Sequence, residues 1–172
     1  MVIDSKMRLF GDSQTSKDVS NETDRALLMH LRSLADLIIT DAATAAAEKY
    51  RASKFCDIEI WSKSGDFRRL EETPGRDSRH AISLQTVTDA TSRIEGLRVS
   101  RDSILLETGQ SLTAKLAESQ LIDFASISVT GADSAESAAV TLDSFVKQMG
   151  FNYLELVGQD WFNETLFARF QR

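Results

Sequence analysis

The chain has 172 residues, 42% hydrophobic and 27% charged, with a formal net charge of −6 and a pI near 5.0. That is the size of one ordinary domain with a near-average globular composition, which excludes a wholly disordered or fibrous chain. The acidic balance argues against nonspecific binding to nucleic acid or to an anionic membrane, because both need clustered Lys and Arg.

A single cysteine, Cys56, rules out an internal disulfide and reads as a small core residue. The first twelve residues lack an apolar signal core, and no window approaches the roughly 18 apolar residues of a membrane span. A cytoplasmic protein without a membrane segment is the expectation.

Residues 1–20 are mostly polar, with Val2, Ile3, Leu9 and Phe10 among the exceptions and no sustained period, so a flexible arm is expected there, followed by a single domain over 21–172. Ser20 and Asn21 suit a helix N-cap, and Leu27, Leu31, Leu34, Ile38, Ala42, Ala45 and Ala46 form an apolar stripe at helical spacing. The pattern predicts one long helix to about residue 52. Residues 55–62 change to period two, with Cys56, Ile58 and Ile60 on one face, and Ser64-Gly65-Asp66 offers a turn to a hairpin partner at 67–71.

Residues 80–87 fit strand and helix alike, with Thr and Val favouring a strand at first. Short strands are predicted at 94–100 and 103–108, which makes the middle of the chain an antiparallel meander. Ser111 begins a short helix carrying Leu112 and Leu116.

Residues 122–158 read as strand, helix, strand. Ala125, Ile127 and Val129 alternate with polar residues, Asp133 and Glu136 form a variant capping box, and Leu142, Phe145 and Met149 share a helical face. Gly150 suits a left-handed C-cap, and residues 151–157 return as a strand that can run parallel to the first. A final strand covers 166–170. The fold class expected is α+β: a mixed sheet, an antiparallel meander followed by a C-terminal βαβ unit, covered by a long N-terminal helix and two shorter ones.

Chemistry-bearing residues are sparse. The two histidines, His30 and His80, are far apart and have no neighbours at metal-ligand spacing, so no metal or cofactor is called for. The Thr130–Ser134 joint lacks any phosphate-loop spacing, so it reads as ordinary capping.

The turn around Arg76, Arg79 and His80 is a candidate anion site, since guanidinium groups suit phosphate or carboxylate, against the plainer reading of a solvated turn paired with Asp77 and Glu71. Leu31, Ile38 and Ala42 on the long helix, and Trp161, Phe162 and Phe167 in the aromatic tail, are interface candidates. The expectation is therefore a small acidic protein-interaction module without catalytic activity, of the inhibitor, immunity, assembly-chaperone or viral accessory type. It would act on a protein partner or as a homodimer. The alternative is a small-molecule-binding domain or enzyme that takes an anionic ligand at the arginine-rich turn.

Overall fold

A computed structural model describes residues 1–13, 15–70 and 79–172. The protein is an α/β fold in which five helices, among the described residues, accompany two four-stranded sheets, one all-parallel and one mixed. The chain forms two compact units, Leu28–Leu116 and the pair of segments Met1–Leu27 and Ala117–Arg172.

The parallel sheet belongs to the Leu28–Leu116 unit. Its strands are β2 (Leu37–Asp41), β3 (Asp57–Ser62), β4 (Ile82–Thr86) and β5 (Ile104–Leu106), in the order β4-β3-β2-β5. Every neighbouring pair is parallel, which corrects the expected antiparallel meander.

The single long helix over 21–52 is corrected too. It is α1 (Glu22–Leu34), then β2, then the six-residue α2 (Ala42–Ala47). Leu37, Ile38, Ile39 and Thr40 are at most 2% exposed, the continuous burial of a central parallel strand covered on both faces. Because nearly every position in such a run is apolar, it matches helical spacing as well as extended spacing, and periodicity alone cannot separate them.

Residues 94–100, expected as a strand, lie in and just beyond α3 (Ala90–Arg98). Asp89 caps this helix by accepting from Ser92 N at 3.2 Å, and its buried Ala90, Ile94 and Leu97 recur at helical spacing. The expected hairpin partner fails for the same topological reason. Phe67 to Leu70 is irregular, residue 71 lies outside the described residues, and the next strand, β4, runs parallel to β3. On one face of this sheet Ile38, Ala45, Cys56, Ile58 and Ile60 form a single buried cluster.

The mixed sheet has the order β1-β6-β8-β7, from β1 (Val2–Asp4), β6 (Phe124–Thr130), β8 (Thr165–Gln171) and β7 (Glu155–Phe162). Residues 2–4, expected within a flexible arm, pair parallel with β6 and bury Ile3 completely. After β6 the chain enters α5 (Ala135–Gln148), whose Ala138, Leu142 and Phe145 are buried as the helix packs on β6 and β8. Burying side chains of the size of Leu142 and Phe145 stabilises by about 1.5–3 kcal/mol each.

The cap is Ser134 with Ser137, not Asp133 with Glu136, a shift of one residue in a serine-rich joint where both registers offer oxygen acceptors. Gly150, at φ +74°, ends the helix region as expected. The predicted βαβ pair exists in direction but not in contact. β7 runs the same way as β6, and β8 returns between them, antiparallel to both. The reversal is a tight turn at Asn163 and Glu164, both with positive φ, which matches the twist of a two-residue hairpin.

Candidate functional site

In an open parallel sheet the strand carboxyl ends are where loops and helix starts converge, and where ligands bind. In the Leu28–Leu116 unit those ends are Asp41, Ser62, Thr86 and Leu106. Asp41 closes β2 and caps α2, its Oδ1 accepting from Thr44 N at 2.9 Å and its Oδ2 from Thr44 Oγ1 at 2.9 Å. The same Oδ2 accepts from Gly109 N at 2.7 Å, which ties the loop after β5 to the start of α2. A side chain at residue 109 would meet Thr44 Oγ1 at 3.2 Å and Asp41 Oδ2 at 3.4 Å, so glycine suits this close approach. One residue later α4 (Gln110–Glu118) begins, and its first N–H groups have no intrahelical acceptor.

Beside this knot a cleft of about 330 Å3 opens at the ends of β2 and β3. Its apolar lining includes Ala42, Trp61, Phe67 and Leu70, and among the described residues its cations are Lys63 and Arg69, both exposed. Among the described residues two carboxylates line it, and both are already engaged. Asp41 holds the three donors just described, and Asp66 accepts from the Arg68 backbone N–H at 3.1 Å and guanidinium at 2.7 Å, which hold its carboxyl down to about 2.

Glu107, directly after β5, carries a buried polar cluster. Arg32 approaches it with two prongs, Nε to Oε1 at 2.7 Å and Nη2 to Oε2 at 2.5 Å, while the Tyr50 hydroxyl donates to Oε2. Thr40 Oγ1 donates to the Glu107 carbonyl at 2.8 Å. Burial, then the Glu107 charge, push the Tyr50 hydroxyl well above its ordinary range. The cluster fixes the strand end from which Thr108 and Gly109 emerge.

The other unit has a separate cleft of about 820 Å3 at the carboxyl ends of β1 and β6. The loop after β1 is built tightly around it. Thr130 Oγ1 donates to Val19 O at 2.6 Å, Asp18 Oδ2 accepts from Ser13 N at 2.7 Å, and Asn21 Nδ2 donates to Thr165 Oγ1 at 2.5 Å.

The residues singled out from the sequence, Ala42 apart, fall elsewhere. Arg79 is exposed, and His80 Nδ1 lies 3.5 Å from Asp57 Oδ1, at the amino ends of β3 and β4. The cleft is at the other end of β3, roughly 16 Å along a strand of this length. Arg76 lies outside the described residues. Ile38 is 0% exposed within β2, and Leu31 and Ala42 are half-buried, Ala42 in the cleft lining. Trp161 and Phe162 are exposed on β7, an edge strand of the mixed sheet, and Phe167 is half-buried on β8.

Sequence reasoning missed Asp41, Trp61, Lys63 and Gly109. The available signal was the pairing of a strand-ending Asp with a Thr three residues on, hidden inside the run read as one helix.

No family model matches the sequence, and no curated protein matches it. Solved structures do. A diaminohydroxyphosphoribosylaminopyrimidine deaminase/5-amino-6-(5-phosphoribosylamino)uracil reductase from Thermotoga maritima superposes with a TM-score of 0.70 at 10% identity, over 99% of this chain. This chain spans about half of that enzyme, 54% of its length. A pyrimidine reductase-like protein from Corynebacterium diphtheriae gives 0.63 at 16% identity, covering 99% of this chain and 89% of the other. The dihydrofolate reductase of Enterococcus faecalis, complexed with NADP(H) and RAB-propyl, gives 0.60 at 8% identity, covering 99% and 92%.

At these identities the likeness shows the fold alone. It is the fold of small-molecule reductases, and this corrects the expectation of a non-catalytic interaction or accessory module acting on a protein partner.

Proposed function

We propose that this chain is a small-molecule-binding catalytic domain of the reductase kind, taking NADP(H) at the cleft beside Asp41 and Trp61. The observation that carries the reading is the cleft itself: an opening at the carboxyl ends of parallel β2 and β3, apolar on one side and cationic at Lys63 and Arg69. The donor set fits a phosphorylated dinucleotide. Phe67 and Leu70 offer an apolar wall for a planar base, Lys63 and Arg69 offer charge for phosphate, and of the lining carboxylates among the described residues Asp66 is ion-paired with Arg68 while Asp41 is held by three neutral donors. When bound, the cofactor would supply a hydride. The chain's own residues would bind and orient it, with Gly109 and the start of α4 shaping the neighbouring strand end.

The reading agrees with the names of the structural neighbours, which are reductases or reductase-like, one of them holding NADP(H). The heterocycle named for the Thermotoga enzyme is the first substrate class to try. The test is calorimetric titration of the protein with NADPH at two salt concentrations. Binding that weakens with salt, and by about tenfold or more in the Lys63→Ala/Arg69→Ala variant, supports the cleft as the phosphate site. Unchanged affinity in that variant would remove it.

A further inference from the structure

We infer that Arg68 is a positioning residue for the charged end of this cleft: it occupies Asp66 and so leaves Arg69 to the 2′-phosphate that distinguishes NADP(H) from NAD(H). The inference rests on the reading of the cleft as the cofactor site, and it names the residue that makes that site selective.

Among the described residues two cations, Lys63 and Arg69, and two carboxylates, Asp41 and Asp66, line the cleft, so the lining by itself is neutral. Arg68 tips that balance from outside the lining. Its guanidinium grips Asp66 with two prongs, Nε to Oδ1 at 2.9 Å and Nη2 to Oδ2 at 2.7 Å. Its backbone N–H adds a third bond to Oδ1 at 3.1 Å. The donors to Asp41 are all neutral, so Asp66 is the carboxylate whose charge a cation cancels. Among the described residues neither Lys63 nor Arg69 is ion-paired.

Asp66 and Arg69 are three residues apart and share the cleft lining. The hydrogen bonds from Arg68, side chain and then backbone, hold the Asp66 carboxyl down to about 2, and the Arg69 charge adds to the same shift. Arg69 therefore already feels this carboxylate, and it is the cation that Asp66 would take next. A carboxylate released by Arg68 competes with a ligand phosphate for one guanidinium, since both match its planar fork. An arginine near the ribose accommodates the 2′-phosphate of NADP(H), so whatever withholds Arg69 narrows the preference for that cofactor.

The test is a cycle of four proteins, native, Arg68→Ala, Asp66→Asn and the double variant, each titrated with NADP+ and with NAD+ by calorimetry. Arg68→Ala is expected to weaken NADP+ binding by about fivefold, the upper range for an exposed charge pair, and NAD+ binding by no more than about twofold. In the Asp66→Asn background no carboxylate competes for Arg69, so the same change should cost NADP+ no more than about twofold. If Arg68 acted only through its own field, or touched the phosphate itself, the cost would be the same in both backgrounds. That result, or equal losses for NADP+ and NAD+, would overturn the positioning role.

A ligand-free measurement separates this inference from the cofactor reading. Exchange of the Arg69 Nε–H with water, followed by NMR at fixed pH, should be slower in Arg68→Ala, where Asp66 takes Arg69, than in the native protein or the double variant. Equal exchange in all three overturns the inference whether or not NADP+ binds. Absence of NADP+ binding in the native protein, with the slower exchange observed, would instead sink the cofactor reading and leave the hold of Arg68 on Asp66 standing.

Discussion

Arg32 and Glu107, 75 residues apart, meet in a two-pronged ion pair whose side chains are only 21% and 8% exposed. The guanidinium also lies over the Tyr50 ring, 5.4 Å from its centroid. The pair joins the carboxyl end of α1 to the residue that follows β5. Two residues from separate segments, Arg32 and Tyr50, thus converge on one carboxylate beside the candidate site. Removing one partner of such a pair strands the other charge. Arg32→Met is expected to destabilise the protein by about 3–5 kcal/mol, and Arg32→Met/Glu107→Leu by clearly less, because no buried charge remains. Urea denaturation of the three proteins checks the order.

Tyr50 gives the cluster a pH signature. Its folded-state pKa lies above the ordinary value of 10.0, so above that pH the native state holds a proton that the unfolded state has lost. The stability contributed by the neutral hydroxyl is present below about pH 10 and falls as the pH rises further. Thermal melts at intervals from about pH 9 upward should show a steeper fall for the native sequence than for Tyr50→Phe. Equal slopes would disprove the assignment.

Asp41 is expected to act through its hydrogen bonds. Asp41→Ala removes the cap of α2 and the acceptor of Gly109 N, with an expected cost of about 1–2 kcal/mol. Exchange of the Thr44 and Gly109 amide protons, followed by NMR, should accelerate before other amides of the unit do. Protection equal to that of the native protein would count against the knot.

Gly11 tests the loop after β1. An added Cβ would lie 2.2 Å from the Asp18 Cβ, inside any real contact. Gly11→Ala should therefore displace residues 11–18 and cost about 1–3 kcal/mol. Limited proteolysis would show earlier cutting in that segment, and an unchanged digestion pattern would refute the expectation.

The residue pair Leu34 and Ile38 separates the observed strand from the long helix that the sequence suggests. Ile38 is 0% exposed and Leu34 is 61% exposed, although a continuous helix would put them on one face. Ile38→Ala should cost about 2–5 kcal/mol and Leu34→Ala no more than about 0.5 kcal/mol, read from denaturation midpoints.

Local chemistry made part of this protein legible in its sequence. The alternation at 125–129 marks β6, the spacing of Ala138, Leu142 and Phe145 marks α5, and Gly150 marks its end, because each signal is complete within a few residues. What the sequence could not supply was partnership. Whether Leu37 to Thr40 is helix or strand depends on neighbours on both sides, and those neighbours, β3 and β5, lie up to about 70 residues away in sequence. Whether β7 pairs with β6 was decided by β8, which returns between them.

The site shows the same division. Asp41, Trp61 and Lys63 are unremarkable in the linear chain, and no motif spacing relates them. They become a cleft only because parallel strands bring their carboxyl ends side by side, while Arg79 and His80, conspicuous in the sequence, end at the opposite edge. Composition and period are properties of neighbours along the chain, and they sufficed for elements such as β6 and α5 but not for β2 or α3. Strand order is a property of contacts across it, and it alone decided which side chains meet.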